Sequence, residues 1–149
     1  MKIVNRKYNR DYTLIEKLEV GIVLTGAEVK SVRAGAIRLD EAFVRVLGDE
    51  LYLVNADIPV YQYARPQGYD SRRSRKLLIH KREMLRLRGK MSASGGLTLA
   101  PVSCYNKGSL IKLEIALSKG RREREKEKLV KERDIASDEK REAKEYLKS

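Results

Sequence analysis

Basic side chains are concentrated in one stretch of the chain, between residues 65 and 90. This stretch holds ten lysines or arginines and two acidic residues, a net charge of +8. Clustered cations attract polyanions, and each phosphate that they neutralise releases condensed counterions. The cluster therefore predicts a surface for nucleic acid. The alternative, an ordinary solvated loop, is disfavoured because the basic residues of the loop cluster with those of the segment that follows it.

Charge also divides the chain into two parts. Residues 1–120 contain 22 basic and 12 acidic residues, a net +10, whereas residues 121–149 contain 11 and 9, a net +2. We expect a basic folded body at 1–120 and a mixed-charge tail at 121–149. The tail has too few apolar residues to fold alone, so we expect it to be flexible and to become helical on a partner. A freely solvated single helix is the alternative.

A coiled-coil arm is a further hypothesis for the tail. Leu129, Ala136 and Ala143 are spaced seven residues apart. Two of these three residues are alanine and a second apolar seam is missing, so the pattern does not favour a coiled coil.

Few side chains are suited to metal binding or catalysis. The sequence has one cysteine, Cys104, and one histidine, His80, which cannot together supply a Cys/His zinc site. An RNA-processing enzyme could use Glu19 or Glu28 with His80 as acid and base. One histidine without a cluster of carboxylates argues against that hypothesis. We expect no catalytic residue, no metal and no cofactor.

The sequence carries no pattern typical of secretion or of a membrane protein. Its start, Met-Lys-Ile-Val-Asn-Arg-Lys, lacks the apolar run of a signal peptide. No stretch approaches the roughly 20 apolar residues that a membrane span needs. We expect a soluble, cytoplasmic protein without a membrane partner.

Local patterns predict the elements that position the basic residues. In the first part of the body we expect a loose arm at 1–11, strands at 12–18 and 20–24, and a helix at 26–34. Thr25 and Glu28 match a capping box, in which a hydroxyl and a carboxylate each bind a free N–H at a helix start. Gly35 can end this helix in a left-handed turn.

In the second part of the body, the sequence predicts two hairpins with a loop and a helix between them. We expect strands at 42–47 and 50–54, a long polar loop at 59–75, a helix at 80–91, and strands at 97–105 and 109–117. Pro101 cannot donate to a sheet, so its strand should be bulged or lie at an edge there. In the helix, Arg82, Arg86 and Lys90 are spaced four residues apart and share one face. Like charges at this spacing repel each other, and a bound anion would relieve the repulsion.

Six or so short strands with small helices between them indicate a mainly-β fold. Such a pattern is typical of a closed or nearly closed barrel, and an OB-fold-like β-barrel with two or three short accessory helices is our prediction. This architecture presents a sheet face and loops to nucleic acid.

Four stretches in this order resemble the small protein B (SmpB) family, the SsrA-binding proteins of bacterial trans-translation. They read EVGIVLTGAEVKSVRAG at 19–35, RKLLIHKRE at 75–83, GLTLAP at 96–101 and ALSKG at 116–120. The resemblance covers residues 5 to about 135. It implies an OB-fold barrel with accessory helices, a flexible tail, and the role of protein partner to transfer-messenger RNA (tmRNA).

The resemblance also implies a division of labour. The body would grip the tRNA-like domain of tmRNA near its elbow, where protein replaces the missing anticodon arm. The tail would enter the vacant mRNA channel near the decoding centre of the small ribosomal subunit and form a helix there. Alanine-charged tmRNA could then enter a stalled ribosome without a codon, with elongation factor Tu as a further partner.

By position, Glu19, Leu78 and His80 match family residues associated with RNA binding. The expected RNA-binding set is Asn5, Arg6, Lys7, Tyr12, Glu19, Gly21, Lys30, Arg33, Arg72, Arg75, Lys76, Leu78, His80, Lys81 and Arg82. The expected ribosome-contacting set is Gly120, Arg124, Lys126, Lys128, Lys131, Arg133 and Ile135. The chain departs from the family at 125–127, where Glu-Lys-Glu replaces the common Asp-Lys-Arg.

Structural roles are alternatives for three residues. Glu28 would serve only as a helix cap, Leu78 as a core residue, and His80 as a structural hydrogen-bonding group. At the level of the molecule, a generic OB-fold RNA-binding protein, such as a ribosomal or initiation-factor-like component, shares the fold and charge. It predicts no preference for tmRNA over other folded RNAs.

Overall fold

The computed structural model describes residues 1–60 and 67–121. The strands there are β1 (Lys2–Val4), β2 (Tyr12–Ile22), β3 (Phe43–Leu47), β4 (Glu50–Val54), β5 (Arg75–Leu78), β6 (Leu97–Lys107) and β7 (Leu110–Gly120). The helices are α1 (Tyr8–Asp11), α2 (Gly26–Arg33) and α3 (Lys81–Ala93). None of these helices is long and apolar enough to cross a bilayer.

The strands form one antiparallel sheet in the order β1-β6-β7-β2-β5-β4-β3. β3, at one end of this order, lies against β6 near the other end, so the sheet curls towards closure. Its concave side holds the apolar core, which includes Leu51, Leu53, Leu113, Ile115 and Leu117. The mainly-β, barrel-like prediction is confirmed.

Local sequence patterns gave the right structure where the stabilising contacts are themselves local. The Thr25 hydroxyl accepts from the Glu28 N–H, and the Glu28 carboxylate accepts from the Thr25 N–H, which completes the capping box of α2. Gly35 follows the helix with φ +79°. Both predicted hairpins form, as β3–β4 and β6–β7. β6 has an irregular register between Pro101 and Ser103, as the proline predicts.

The prediction of a loose arm at residues 1–11 is wrong. β1 pairs with β6, and the Asn5 N–H donates to the Val102 carbonyl at 2.8 Å. The Tyr8 and Ser118 hydroxyls share a hydrogen bond of 2.5 Å, and Tyr8 is buried. A strand of three residues carries no periodicity of its own, so only its pairing with β6 reveals it.

Two further boundaries differ from the prediction. The strands expected at 12–18 and 20–24 are one strand, β2, which continues through Gly21. β5 begins at Arg75, the last residue of the predicted loop. Arg75 and Leu77 face the core, and the intervening Lys76 is exposed. Residues 61–66 of that loop, and every expected tail contact except Gly120, lie outside the described residues.

Candidate nucleic-acid interface

A row of neighbouring residues crosses five strands on the outer face of the sheet. Gly21 pairs with Leu78 of β5 on one side and with Lys112 of β7 on the other. Lys112 pairs with Tyr105, which pairs with Lys2. Residues paired across strands lie side by side on one face, so this cross-strand row brings two lysines and a tyrosine next to Gly21 and Leu78.

A shallow depression of about 280 Å³ lies beside the row, and we call it the Gly21 depression. Glu19, Gly21, Leu78 and His80 line it. These four members of the expected RNA-binding set come from β2, from β5 and from the residue before α3. The structure therefore gathers residues that are up to about sixty positions apart in the sequence onto one surface.

Leu78 is exposed, which excludes its alternative role in the core. Its relative accessibility is 54 %. It fits closely over Gly21, because a Cβ added to Gly21 would lie 3.2 Å from the Leu78 Cβ. The absence of a side chain at Gly21 lets Leu78 lie flat against the strand and keep an apolar surface exposed.

Glu19 is held in a fixed orientation at the edge of the Gly21 depression. Its carboxylate accepts a hydrogen bond from the Tyr105 hydroxyl and another from Lys107 Nζ, the latter at 3.0 Å. These two bonds lower the pKa of Glu19. An ionised carboxylate with an exposed edge can accept from base amino groups or ribose hydroxyls.

Sequence reasoning missed Tyr105, Lys107 and Lys112 as members of this surface. A signal was present for Lys112, because the alternation of β7 places it on the face opposite the core residues Ile111 and Leu113. No local signal links Tyr105 or Lys107 to Glu19, since that contact spans about 86 residues of sequence.

Most cations of the basic stretch are already paired with carboxylates of the body. The pairs are Arg72–Glu41, Arg73–Glu28, Arg75–Glu28, Lys76–Glu50, Arg86–Glu16, Arg88–Asp49 and Lys90–Glu16. Lys81 and Arg82 are exposed and form no ion pair with another described residue. The charge of +8 in the sequence therefore overstates the field that this region presents to a ligand.

Arg75, a member of the expected RNA-binding set, lies inside the body and exposes no side-chain surface to a ligand. Its side chain is fully buried, and its Nε donates to Glu28 Oε2 at 2.7 Å. Its Nη1 donates to the carbonyl of Ala56 at 3.0 Å. A guanidinium offers five donors, which allows a buried arginine to satisfy all its polar contacts inside the protein. Glu28 is correspondingly more than a helix cap.

The remaining expected residues are dispersed around the body. Asn5 is buried, and its side chain donates to the Pro101 carbonyl at 2.9 Å, which supports the sheet. Tyr12 stacks on Tyr8 with ring centroids 5.5 Å apart. Arg33 Nη2 donates to the Ser109 carbonyl at 2.8 Å. Exposed positions outside the Gly21 depression are held by Arg6, Lys7, Lys30, Arg72, Lys76, Lys81 and Arg82.

Side chains that could hold a metal ion are not clustered in the described part of the chain. There, no three His, Cys, Asp or Glu side chains lie close enough to hold a metal ion. Glu28 is fully buried, which removes it as an acid or base for an external substrate. Burial raises the pKa of the Cys104 thiol to about 11.

Known proteins of one family are similar to this chain over most of its length. The family model "SmpB protein" matches residues 2–145. An SsrA-binding protein of Sulfurihydrogenibium sp. (strain YO3AOP1) is 47% identical over 131 residues, 88% of this chain and 86% of that protein. One of Persephonella marina is 44% identical over the same shares.

A solved chain supports the same relationship at the level of the fold. It is described as "tmRNA-SmpB: a journey to the center of the bacterial ribosome" and is 41% identical. The TM-score is 0.65, and the match covers 82% of this chain and 85% of that one. Sequence and fold agree over most of the length. The chain belongs to the SmpB family.

Proposed function

We propose that this chain is a non-enzymatic RNA-binding adaptor of trans-translation. Its body binds the tRNA-like domain of tmRNA, and its tail acts in the mRNA channel of the small ribosomal subunit. The observation that carries the proposal is the convergence of Glu19, Gly21, Leu78 and His80 at one exposed depression, in a chain of this family.

The depression has the chemistry that unstacked RNA requires. Proteins read single-stranded loops by packing against base faces and by hydrogen bonds to base edges and ribose hydroxyls. Leu78 supplies an exposed apolar surface, and Glu19 supplies an oriented acceptor beside it. Lys112 in the adjoining row, with Lys81 and Arg82 at the start of α3, can neutralise phosphates.

The proposal implies a cellular setting. Relatives are SsrA-binding proteins, and a similar solved chain is described with tmRNA and the bacterial ribosome. We therefore place this chain in the cytoplasm, with tmRNA and the ribosome as partners and elongation factor Tu as a partner of the alanine-charged RNA. The tail positions 124–135 would contact ribosomal RNA in this scheme.

The substitution Leu78→Ala tests the body's role. Leu78 is about half exposed, so RNA would newly bury about one to two of the three carbons that the substitution removes. At about 0.8 kcal/mol per CH₂, their loss should weaken binding of the tRNA-like domain about four- to fifteenfold. Leu47→Ala, which truncates a leucine of similar exposure (55 %) on β3, is the matched control and should bind normally.

Affinity for the tRNA-like domain is measured in the presence of bulk tRNA as competitor. Equal binding by the Leu78 variant and the unaltered protein would show that the Gly21 depression is not the site. Equal competition by bulk tRNA would instead favour a generic RNA-binding protein.

A further inference from the structure

A second depression, of about 250 Å³, lies on the outer face of the sheet. Its lining includes Lys2 and Val4 of β1, Leu14 and Lys17 of β2, Ser103 of β6 and Glu114 of β7. We call it the Ser103 depression. It is separate from the Gly21 depression but adjoins it, because Glu114 pairs directly with Glu19.

Ser103 carries a buried hydroxyl without a hydrogen-bond partner among the described residues. Ser103 belongs to the outer face of the sheet, because its cross-strand neighbours Val4 and Glu114 both point outward. Even so, only 1 % of the residue is exposed. Buried hydroxyls are hydrogen-bonded in the large majority of cases. The hydroxyl has almost no accessible surface of its own, so a ligand in the depression that Ser103 lines would pair with it after a small shift of the surrounding side chains.

The sheet is distorted on both sides of this depression. β6 has a register irregularity between Pro101 and Ser103, and β2 has one between Leu14 and Glu16. Such irregularities redirect side chains and are frequent beside functional sites. Asn5 stabilises the irregularity of β6. Its N–H donates to the Val102 carbonyl, and its side chain donates to the Pro101 carbonyl.

We propose that the Ser103 depression binds a single unpaired nucleotide of the RNA ligand. The proposal rests on the proposed function and adds a second contact point to it. At about 250 Å³ the depression is smaller than the roughly 300–1,000 Å³ of typical small-molecule sites, so it has room for about one base and not for several.

The lining fits the parts of a nucleotide. Val4 and Leu14 are 51 % and 45 % exposed and provide apolar walls for the faces of a base. The Ser103 hydroxyl can donate to or accept from a base edge or a ribose hydroxyl.

The charges around the depression favour an anionic ligand. Lys2 forms no ion pair within the described part of the chain, and Lys17 contacts Glu114 only at 3.6 Å, so both cations can reach a phosphate. Lys2 also belongs to the cross-strand row, which makes the two depressions one continuous surface for a strand of RNA.

The substitution Ser103→Ala separates this proposal from a purely structural role. Removing an unpaired buried hydroxyl should leave stability unchanged or raise it. Loss of one hydrogen bond to RNA should weaken binding of the tRNA-like domain about three- to tenfold. Ser92→Ala, an exposed serine on α3, is the control and should bind as the unaltered protein does.

A second variant and a mapping experiment complete the test. Leu14→Glu places a carboxylate on the exposed wall and should weaken binding further by repelling phosphate. Chemical probing of the bound RNA should show one unpaired nucleotide that the unaltered protein protects and that the Ser103 variant leaves reactive. The Leu78 variant should retain this particular protection at saturating protein.

Two outcomes are distinguishable. Normal affinity and an unchanged protection pattern for both the Ser103 and Leu14 variants would overturn the second site and leave the proposed function standing. Failure of the unaltered protein to bind the tRNA-like domain at all would overturn both.

Discussion

Glu28 is a fully buried carboxylate that accepts hydrogen bonds from four different residues. Burial by itself would raise the pKa of its carboxyl, but the Thr25 N–H and the guanidinium groups of Arg73 and Arg75 outweigh burial and lower the pKa to about 2. Tyr69 donates to the same carboxylate at 3.2 Å. One side chain thus joins the start of α2, the start of β5 and the segment between β4 and β5.

We predict that Glu28→Gln strongly destabilises the body. The substitution leaves the charge of Arg75 buried and uncompensated, which typically costs about 3–5 kcal/mol of unfolding free energy. Urea titration followed by circular dichroism measures the loss. Glu41→Gln, which breaks the exposed pair with Arg72, should change the midpoint little.

The double variant Glu28→Gln with Arg75→Met tests the cause. It removes both charges and should recover part of the lost stability, because an apolar side chain of similar size has no desolvation penalty. A double variant that is less stable than Glu28→Gln alone would contradict the role assigned to the buried pair.

The lowered pKa of Glu28 also predicts how stability depends on pH. Its pKa falls from an ordinary 4.5 to about 2 on folding, so the unfolded state binds the proton more tightly. The stabilisation is complete above about pH 4.5 and is lost as the pH falls through 2. The difference in unfolding free energy between the unaltered protein and Glu28→Gln should therefore shrink across that window. A difference independent of pH would show that the carboxylate is not the stabilising species.

At the scale of elements, one carboxylate of β2 pairs with two cations of α3. Arg86 and Lys90 lie one helical turn apart, and both donate to Glu16 of β2, Lys90 Nζ at 2.5 Å. Their hydrogen bonds, with that of Lys90 the larger effect, lower the pKa of Glu16. The anion that this basic helix face requires is thus supplied from within the protein, and Arg82 alone of the three cations is left without an ion-pair partner among the described residues.

We predict that Glu16→Gln increases non-specific RNA binding. The substitution releases Lys90 and leaves Arg86 with Glu83 only, so bulk tRNA should bind about two- to threefold more tightly at low salt. The slope of log K against log salt should steepen by up to about 1. Stability should change little, because exposed ion pairs contribute little.

Asp40→Asn controls for net charge. Asp40 is exposed and forms no ion pair with a described residue, so this variant changes the charge by the same amount without releasing a cation. If Asp40→Asn steepens the slope as much as Glu16→Gln does, net charge explains the effect and the pairing of α3 with Glu16 does not.

Elements with local signals could be predicted from the sequence, and elements that depend on distant partners could not. The capping box of α2 and the turns of the two hairpins involve neighbours within a few residues. β1 exists only through its pairing with β6, about a hundred residues away. In β5, Arg75 and Leu77 face the core, whereas Lys76 and Leu78 face outward. Each face therefore carries one basic and one apolar residue, so the sequence shows no alternation from which the exposure of Leu78 could be predicted.

At the scale of the whole molecule, the same contrast between local signals and distant partners applies to the proposed RNA-binding surface. Family resemblance identified Glu19, Gly21, Leu78 and His80, and the structure brings them together. The ion pairs of the basic stretch could not be predicted, because its partners are carboxylates on other elements that composition cannot pair with it. Residues 1–120 still carry a net charge of +10, so in our proposal attraction to phosphates acts together with the few oriented groups of the Gly21 depression.

The described part of the body reaches Arg121, one residue beyond the boundary expected from charge. Gly120 pairs with Tyr12, and the Arg121 N–H donates to the Asp11 carbonyl at 2.8 Å. Arg121 Nε donates to the carbonyls of Asn9 and Tyr12, at 3.1 and 3.2 Å. Residues up to 121 therefore stabilise the body, and the division between body and tail that we propose begins after them.

A pair of truncations tests this division. A chain that stops after Arg121 should keep its urea midpoint and its affinity for the tRNA-like domain, yet fail to support tagging of nascent chains in a reconstituted translation system. A chain that stops after Leu117 loses the Ser118–Tyr8 hydrogen bond and the contacts of Arg121, at about 1 kcal/mol each, and should unfold at lower urea. Tagging by the chain that stops after Arg121 would assign the ribosomal role to the body, because only the tail has been removed. An unchanged midpoint for the shorter chain would place the end of the body before Ser118.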